Sequence, residues 1–296
     1  MNIAGSVVTV FGGSGFVGSR IVERLAAEGA HVRVAVRHPE RVEQRERVAG
    51  TRANVWYAAT VSPAVHGSDA IVNVVGHYVE HGSATFEAIH GHGARNVAAA
   101  AARAGVRRLV HISGLGADPA SPSAYVRARA TGERLVSDVF PGVTIFRPSV
   151  IFGPGDALFG RLAALAAVLP ALPLFGTGRI RLQPVFVGDV ADAVAAAIER
   201  DDAAGRIFEL GGPRTYSYRD LVRLTLKHTG RRRLLLPVPY AIWELLARLP
   251  GAPVSPDQVK LMREANVASG SRPGLADLGV RPTPVEEILP TYIGGS

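Results

Sequence analysis

The sequence predicts an α/β fold: a doubly wound parallel sheet followed by a smaller C-terminal α/β lobe. Short β-branched runs alternate with alanine-rich helical stretches through the first half of the chain, as when parallel strands are joined by right-handed helical crossovers. A glycine-rich turn stands between the first of these runs and the first helix. Beyond Ile151 the composition changes to proline and glycine punctuation, in "LPALPLFGTG", "LGGPRTYSY" and "LPVPY". The expected organisation is a first domain over residues 1–150 and a smaller lobe over 151–296, interleaved with it.

In order along the chain, "SVVTVFG" reads as a first strand, "GFVGSRIVERLAAEG" as a helix ending at Gly29, and "HVRVAVR" as a second strand. "NVWYAA" reads as a third strand and "DAIVNVVG" as a fourth. One long helix, "ATFEAIHGHGARNVAAAAARAG", leads into "VRRLVHIS", and a helix through Tyr125 leads into "GVTIFRPSVIFG". In the second half "YSYRDLVRLTLKHTG" is a helix capped by Ser217. "IWELLARL" is another, with Ile242, Leu245, Leu246 and Leu249 on one face, a stripe expected to pack on its own domain before a membrane or a partner.

Composition narrows the function classes. A chain of 296 residues with 47% hydrophobic content can bury a large core. The most apolar run, "LAALAAVLPALPLF", is interrupted by Pro170 and Pro173 and falls short of a membrane span. The opening residues lack the pattern of a secretory signal, so a cytoplasmic location is expected, with peripheral contact at the inner face of a membrane as its variant. The absence of cysteine excludes disulfides, thiolate ligands and a cysteine nucleophile. His81, His90 and His92 show no metal-binding spacing and read as loop and helix-surface residues. The net charge of +8 comes almost wholly from arginine, since lysine occurs only at Lys227 and Lys260. The arginines are scattered, so no nucleic-acid partner is expected, and "KHTGRRR" reads as a solvated helix end.

"VTVFGGSGFVGSRIVERLAAEG" places Gly12, Gly15 and Gly18 directly after a strand and at the opening of a helix. Glycines suit this turn because it is tight, because backbone must approach a pyrophosphate, and because helix and strand must pack closely. With Ser14 in the loop and the amides of Phe16 and Val17 opening the helix, the stretch predicts a Rossmann-type dinucleotide site. An NAD site would carry a carboxylate after the second strand, yet no acidic residue lies between Glu28 and Glu40. Arg37 stands there instead, suited to a 2′-phosphate, so NADP(H) is expected ahead of NAD(H).

"FGGSGFVG", "SAYVRARATGE" and "RPSVIFGPGD" together resemble the extended short-chain dehydrogenase/reductases, the NAD(P)-dependent epimerase/dehydratase superfamily. Within it the chain is most similar to the atypical branch that holds the nucleotide-binding accessory subunit of respiratory complex I and its bacterial relatives. The cues are "HISGLGAD", "RLQPVFVGDVADAV", "SPDQVKLMREANV" and "LADLGVRPTPVEEILPTYI". The resemblance implies a catalytic serine, tyrosine and lysine. Matched by position, the tyrosine is Tyr125 and the lysine is replaced by Arg129. The preceding strand ends at Ser113, while many members carry the serine nearer Leu115. The resemblance also implies that Val75 and Gly76 lie along the cofactor and that Pro148 and Val150 border the nicotinamide. Where relatives carry an aspartate after the third strand, this chain has "AATV", ending at Val61.

Two readings stay open at this stage. One is an accessory or assembly protein of a respiratory or quinone-related membrane complex, holding NADP(H) with a degraded site. The other is an active NADP(H)-dependent oxidoreductase or epimerase-like enzyme on a small carbonyl or hydroxyl substrate between the lobes. An arginine keeps the charge of the missing lysine but not its compact ammonium. Arg147, Arg179 and Arg181 read as solvated surface before an anion site.

Overall fold

The computed structural model describes residues 1–80, 82–252 and 254–294 and divides into two compact units. The first unit comprises Met1–Pro148, Gly188–Leu210 and Gly270–Arg281, and the second comprises Ser149–Val187, Gly211–Ser269 and Pro282–Ser296.

The first unit opens with β1 (Val7–Phe11), α1 (Phe16–Ala27), β2 (His31–Val36) and β3 (Val48–Arg52). It continues through α2 (Ala58–Val65), β4 (Ala70–Asn73), α3 (Ala94–Arg103), β5 (Arg108–Ile112), α4 (Ala124–Val139) and β6 (Thr144–Pro148). The chain leaves for the second unit through β7 (Ile151–Phe152), α5 (Ala157–Val168), β8 (Ala171–Phe175), β9 (Arg181–Leu182) and β10 (Val185–Phe186). It returns with α6 (Val187–Glu199) and β11 (Ile207–Leu210). Seven parallel strands form one sheet in the order β11-β6-β5-β4-β1-β2-β3. This is a Rossmann-type sheet, in which the strand order reverses at β1 and β4, so their carboxyl ends open the crevice where ligands of such folds bind.

Parallel strands are covered on both faces, and here β1 from Val8 onward and all of β4 are buried. Val61, Val65, Val97, Ala98, Ala101 and Val136 carry α2, α3 and α4 onto the sheet as one layer. Ile21 and Leu25 bury α1, whose Arg24 pairs with Asp192 of α6. Each fully buried aliphatic side chain of this kind contributes about 1.5–3 kcal/mol relative to exposure.

Three expected elements differ. The third strand is Val48–Arg52, while "NVWYAA" turns the chain into α2. Asn54 decides this, since its carbonyl side chain accepts from the Trp56 amide while its own amide donates to Thr60 Oγ1. The residues following the third strand are therefore Ala53 and Asn54, and "AATV" already belongs to α2. The long helix begins as a π-helical segment, Glu87–Gly93, before α3. "GVTIFRPSVIFG" is split into β6 of the main sheet and β7, which pairs with β10.

The second unit continues with β12 (Tyr216–Ser217), α7 (Tyr218–His228), β13 (Leu234–Val238), α8 (Tyr240–Leu246), α9 (Pro256–Leu261) and α10 (Val285–Ile288). Ser217 caps α7 by accepting from the Asp220 amide, and Ser255 with Gln258 forms a capping box on α9. Phe152, Phe159, Leu172, Leu174, Leu221, Trp243 and Leu289 belong to its core. "LAALAAVLPALPLF" becomes α5 and β8, separated by the break at Leu169 and Pro170, and no described helix is long and apolar enough to cross a membrane.

Candidate functional site

The glycine turn lies at the carboxyl end of β1. Gly12 has φ +82°, a region costly for other residues, and a Cβ there would sit 3.0 Å from the Val74 carbonyl carbon and the Val75 amide. A Cβ at Gly18 would lie 2.1 Å from the Gly12 carbonyl oxygen, so only glycine lets α1 pack on the turn. Gly15 is the N-cap of α1 and offers no side chain to the first-turn amides of Phe16 and Val17. Ser14 and Gly15 are exposed beside them. The cradle fits an anionic diphosphate, with backbone N–H groups and the helix dipole facing outward.

Arg37 follows the last residue of β2, the strand beside β1. It is exposed, and among the described residues no hydrogen bond or ion pair engages its side chain. Its neighbour Arg33 is committed elsewhere, donating to the His66 carbonyl, while Glu40 draws in His38 and Arg52.

At the end of β4, Asn73 accepts from the Val75 amide and donates to Nδ1 of His111 on β5. His111 is held neutral, its pKa lowered to about 3 by burial first and the Arg129 charge second. Ser123 caps α4 through the Val126 amide and sets the helix that carries Tyr125 and Arg129. One turn beyond Arg129, a Cβ at Gly132 would meet the His90 carbonyl oxygen at 1.9 Å, so this glycine admits the π-helical segment against α4. His90 is brought to Tyr125 in this way, ring centres 5.3 Å apart and edge-on. Phe86 packs edge-on as well, and Tyr78 stacks at 5.2 Å.

Arg129 lies over the Tyr125 ring, 4.8 Å from its centre, and donates to the Ile112 carbonyl at 3.2 Å. Positions Gly76 and Gly114 both face its guanidinium end, with hypothetical Cβ atoms 3.6 Å from Nη2 and Nε respectively. Tyr125 is buried, and burial raises its pKa well above the ordinary tyrosine value despite the opposing pull of Arg129. His90 is also buried and neutral, its pKa lowered to about 2 by burial and then by Arg129. Ser113 is buried with an Oγ that no described group engages, and the Arg129 Nε is likewise unmatched.

The structure thus brings Tyr125, Arg129, Gly76 and the end of β5 together, and Ser113 and Pro148 lie where β5 and β6 end: the Leu115 amide donates to the Pro148 carbonyl. Val150 belongs to the second unit, its amide and the neighbouring Ser149 hydroxyl held by Asn266. Of the histidines expected at the surface, His92 is exposed, but His90 is a core residue, because π-helical winding and the Gly132 gap turn it inward; His81 lies outside the described residues. Arg147 is neither the solvated surface residue expected nor an anion site, as its largely buried guanidinium is clamped on Glu133 with contacts of 2.6 to 3.2 Å. The aromatic surround of Tyr125 escaped sequence reading, although "HGSATFEAIHGH" contains both Phe86 and His90.

The model of the family described as NAD dependent epimerase/dehydratase matches residues 8–211. The chain belongs to the NAD dependent epimerase/dehydratase family. This epimerase/dehydratase family chain is 33% identical to the NADH dehydrogenase (ubiquinone) 1 alpha subcomplex subunit 9 of Rattus norvegicus, over 96% of its own length and 79% of the relative's. It is 32% identical to a ceramide reductase of Caulobacter vibrioides, over 80% of its own length and 74% of the other. A nucleoside-diphosphate-sugar epimerase from Staphylococcus aureus shares the fold with a TM-score of 0.78 at 21% identity, covering 96% of this chain and 99% of that one.

Proposed function

We propose that this family member binds NADP(H) as a structural ligand and serves an accessory or assembly role at a respiratory or quinone-related membrane complex. One observation carries the reading. Arg129 stands at the family's lysine position, donates to the Ile112 carbonyl and covers the Tyr125 ring, while burial keeps the Tyr125 proton tightly held. A tyrosine that is to exchange its proton near neutral pH needs its pKa moved down, and here the balance runs the other way. The glycine cradle of Gly12, Gly15 and Gly18 with the Phe16 and Val17 amides receives the diphosphate, Ser14 lies at its rim, and Arg37 meets the 2′-phosphate. Val75, Gly76, Arg129 and Pro148 line the nicotinamide side. The likeness to the NADH dehydrogenase (ubiquinone) subunit supports the accessory role; a station at the inner face of a membrane goes with that proposal.

A second reading, an NADP(H)-dependent oxidoreductase or epimerase-like enzyme on a carbonyl or hydroxyl substrate, is favoured by the unmatched Ser113 Oγ and by the ceramide reductase relative. The reduced cofactor would supply hydride; Ser113 would hold the carbonyl oxygen and Tyr125 would give it a proton.

Calorimetric titration of the purified protein with NADPH and NADH, alongside turnover assays on a carbonyl panel, tests the proposal. Tight, slowly exchanging NADPH without turnover is expected. Arg37→Ala should remove about tenfold or more of the preference, the worth of charge-assisted hydrogen bonds to one phosphate. Turnover abolished by Tyr125→Phe would transfer the conclusion to the second reading.

A further inference from the structure

We propose that the second unit carries a docking face for an anionic lipid surface, formed by the end of α5, β13 and α8. Large exposed apolar side chains concentrate there: Val168 is 75% exposed, Leu234 71%, Leu245 64% and Leu249 55%, with Leu236 and Ile242 close behind. The elements that carry these side chains are joined through β8. β13 pairs with β8 in parallel, Leu234 opposite Ala171, and Arg233 donates to the Ala166 carbonyl, which joins the start of β13 to the end of α5. α8 is fixed by its inner side. Trp243 is buried, donates to the Leu174 carbonyl and stacks on Phe175 at 4.5 Å, so Ile242, Leu245 and Leu249 are left outside. The expectation that this stripe packs on its own domain is therefore overturned: Trp243 and Ala247, with the partly buried Tyr240, make that contact.

Charge selects the occupant. Arg231, Arg232 and Arg248 border the patch, are exposed, and take part in no ion pair among the described residues. From Arg231 to Pro250 the only acid is Glu244, which Arg263 occupies at 2.6 Å. Leucines flanked by uncompensated arginines match an anionic bilayer interface, where apolar groups enter the acyl boundary and guanidinium groups meet phosphate. A second copy fits poorly, because a twofold contact would place this cationic rim against itself without acids to answer it. No described helix is long enough to span, so the face rests on the bilayer. This inference uses the second unit alone and stands or falls independently of the nucleotide reading.

Flotation of the full chain with protein-free vesicles tests it. Binding to phosphatidylcholine vesicles carrying phosphatidylglycerol is expected, weak binding to phosphatidylcholine alone, and release at high salt. The exposed substitutions Leu245→Gln with Leu249→Gln should abolish flotation, and each of Arg231→Gln, Arg232→Gln and Arg248→Gln should weaken it about fivefold. Unchanged melting and gel-filtration behaviour identifies these as surface effects. Failure to float with anionic vesicles overturns the proposal, as does flotation indifferent to the leucine pair. Binding confined to native membranes assigns the face to a protein, and a dimer dissolved by the leucine pair without lipid binding assigns it to a second copy; either result also overturns it.

Discussion

The Arg129 guanidinium lies 4.8 Å from the centre of the Tyr125 ring, in a pocket that also holds Phe86, His90 and the stacked Tyr78. A cation this close favours phenolate, yet removal of the phenol from water outweighs it and the pKa rises. The balance leaves the phenol protonated.

Tyr125→Phe accordingly should leave NADPH affinity within about threefold of the parent, the net worth of a single hydrogen bond. Calorimetry on both proteins measures this, and a loss of orders of magnitude would show that the hydroxyl is a principal ligand contact.

Gly18→Ala should cost about 2 kcal/mol or more of stability and eliminate nucleotide binding, because the new methyl would occupy the place of the Gly12 carbonyl oxygen, 2.1 Å away. Urea denaturation and NADPH titration check the two consequences separately. Gly105→Ala, at another glycine with φ +67° but open space, should affect stability alone.

Arg147 and Glu133 form a buried bidentate pair, their side chains 15% and 7% exposed. Arg147→Met leaves a carboxylate enclosed without its partner and should cost about 3–5 kcal/mol, whereas Arg147→Met combined with Glu133→Leu should recover most of that loss. A double-mutant cycle by chemical denaturation provides the measurement.

His90 and His111 are both held neutral in the fold, with pKa values lowered from 6.5 to about 2 and about 3. Since the unfolded chain binds these protons more readily, their contribution is fully present above about pH 6.5 and declines as pH falls toward the folded values. Two histidines give a limiting slope of about 2.7 kcal/mol per pH unit below pH 6. Stability should be flat between pH 7 and 8, about the range above the histidine titration. His90→Gln, which can still donate to the His77 carbonyl, should roughly halve the slope in denaturation midpoints measured across pH.

Local chemistry made much of this protein legible without coordinates. Glycines at 12, 15 and 18, the β-branched runs and the cap at Ser217 each state a conformational demand that one short stretch satisfies. The place of Arg37 one residue past a strand end is equally local, whereas the reading of Arg129 at a lysine position rests on the family resemblance.

Tertiary structure decided what depends on distant partners. Asn54 and Thr60 turned an apparent strand into a loop and helix, and the approach of Gly132 to His90 converted a surface histidine into the wall of the tyrosine pocket. Likewise the α8 stripe has the same period whether covered or bare, and only the anchoring of Trp243 on Leu174 and Phe175 left its leucines outside. Periodicity names the face of an element; burial and its electrostatic consequences are set by whatever the rest of the chain brings against that face.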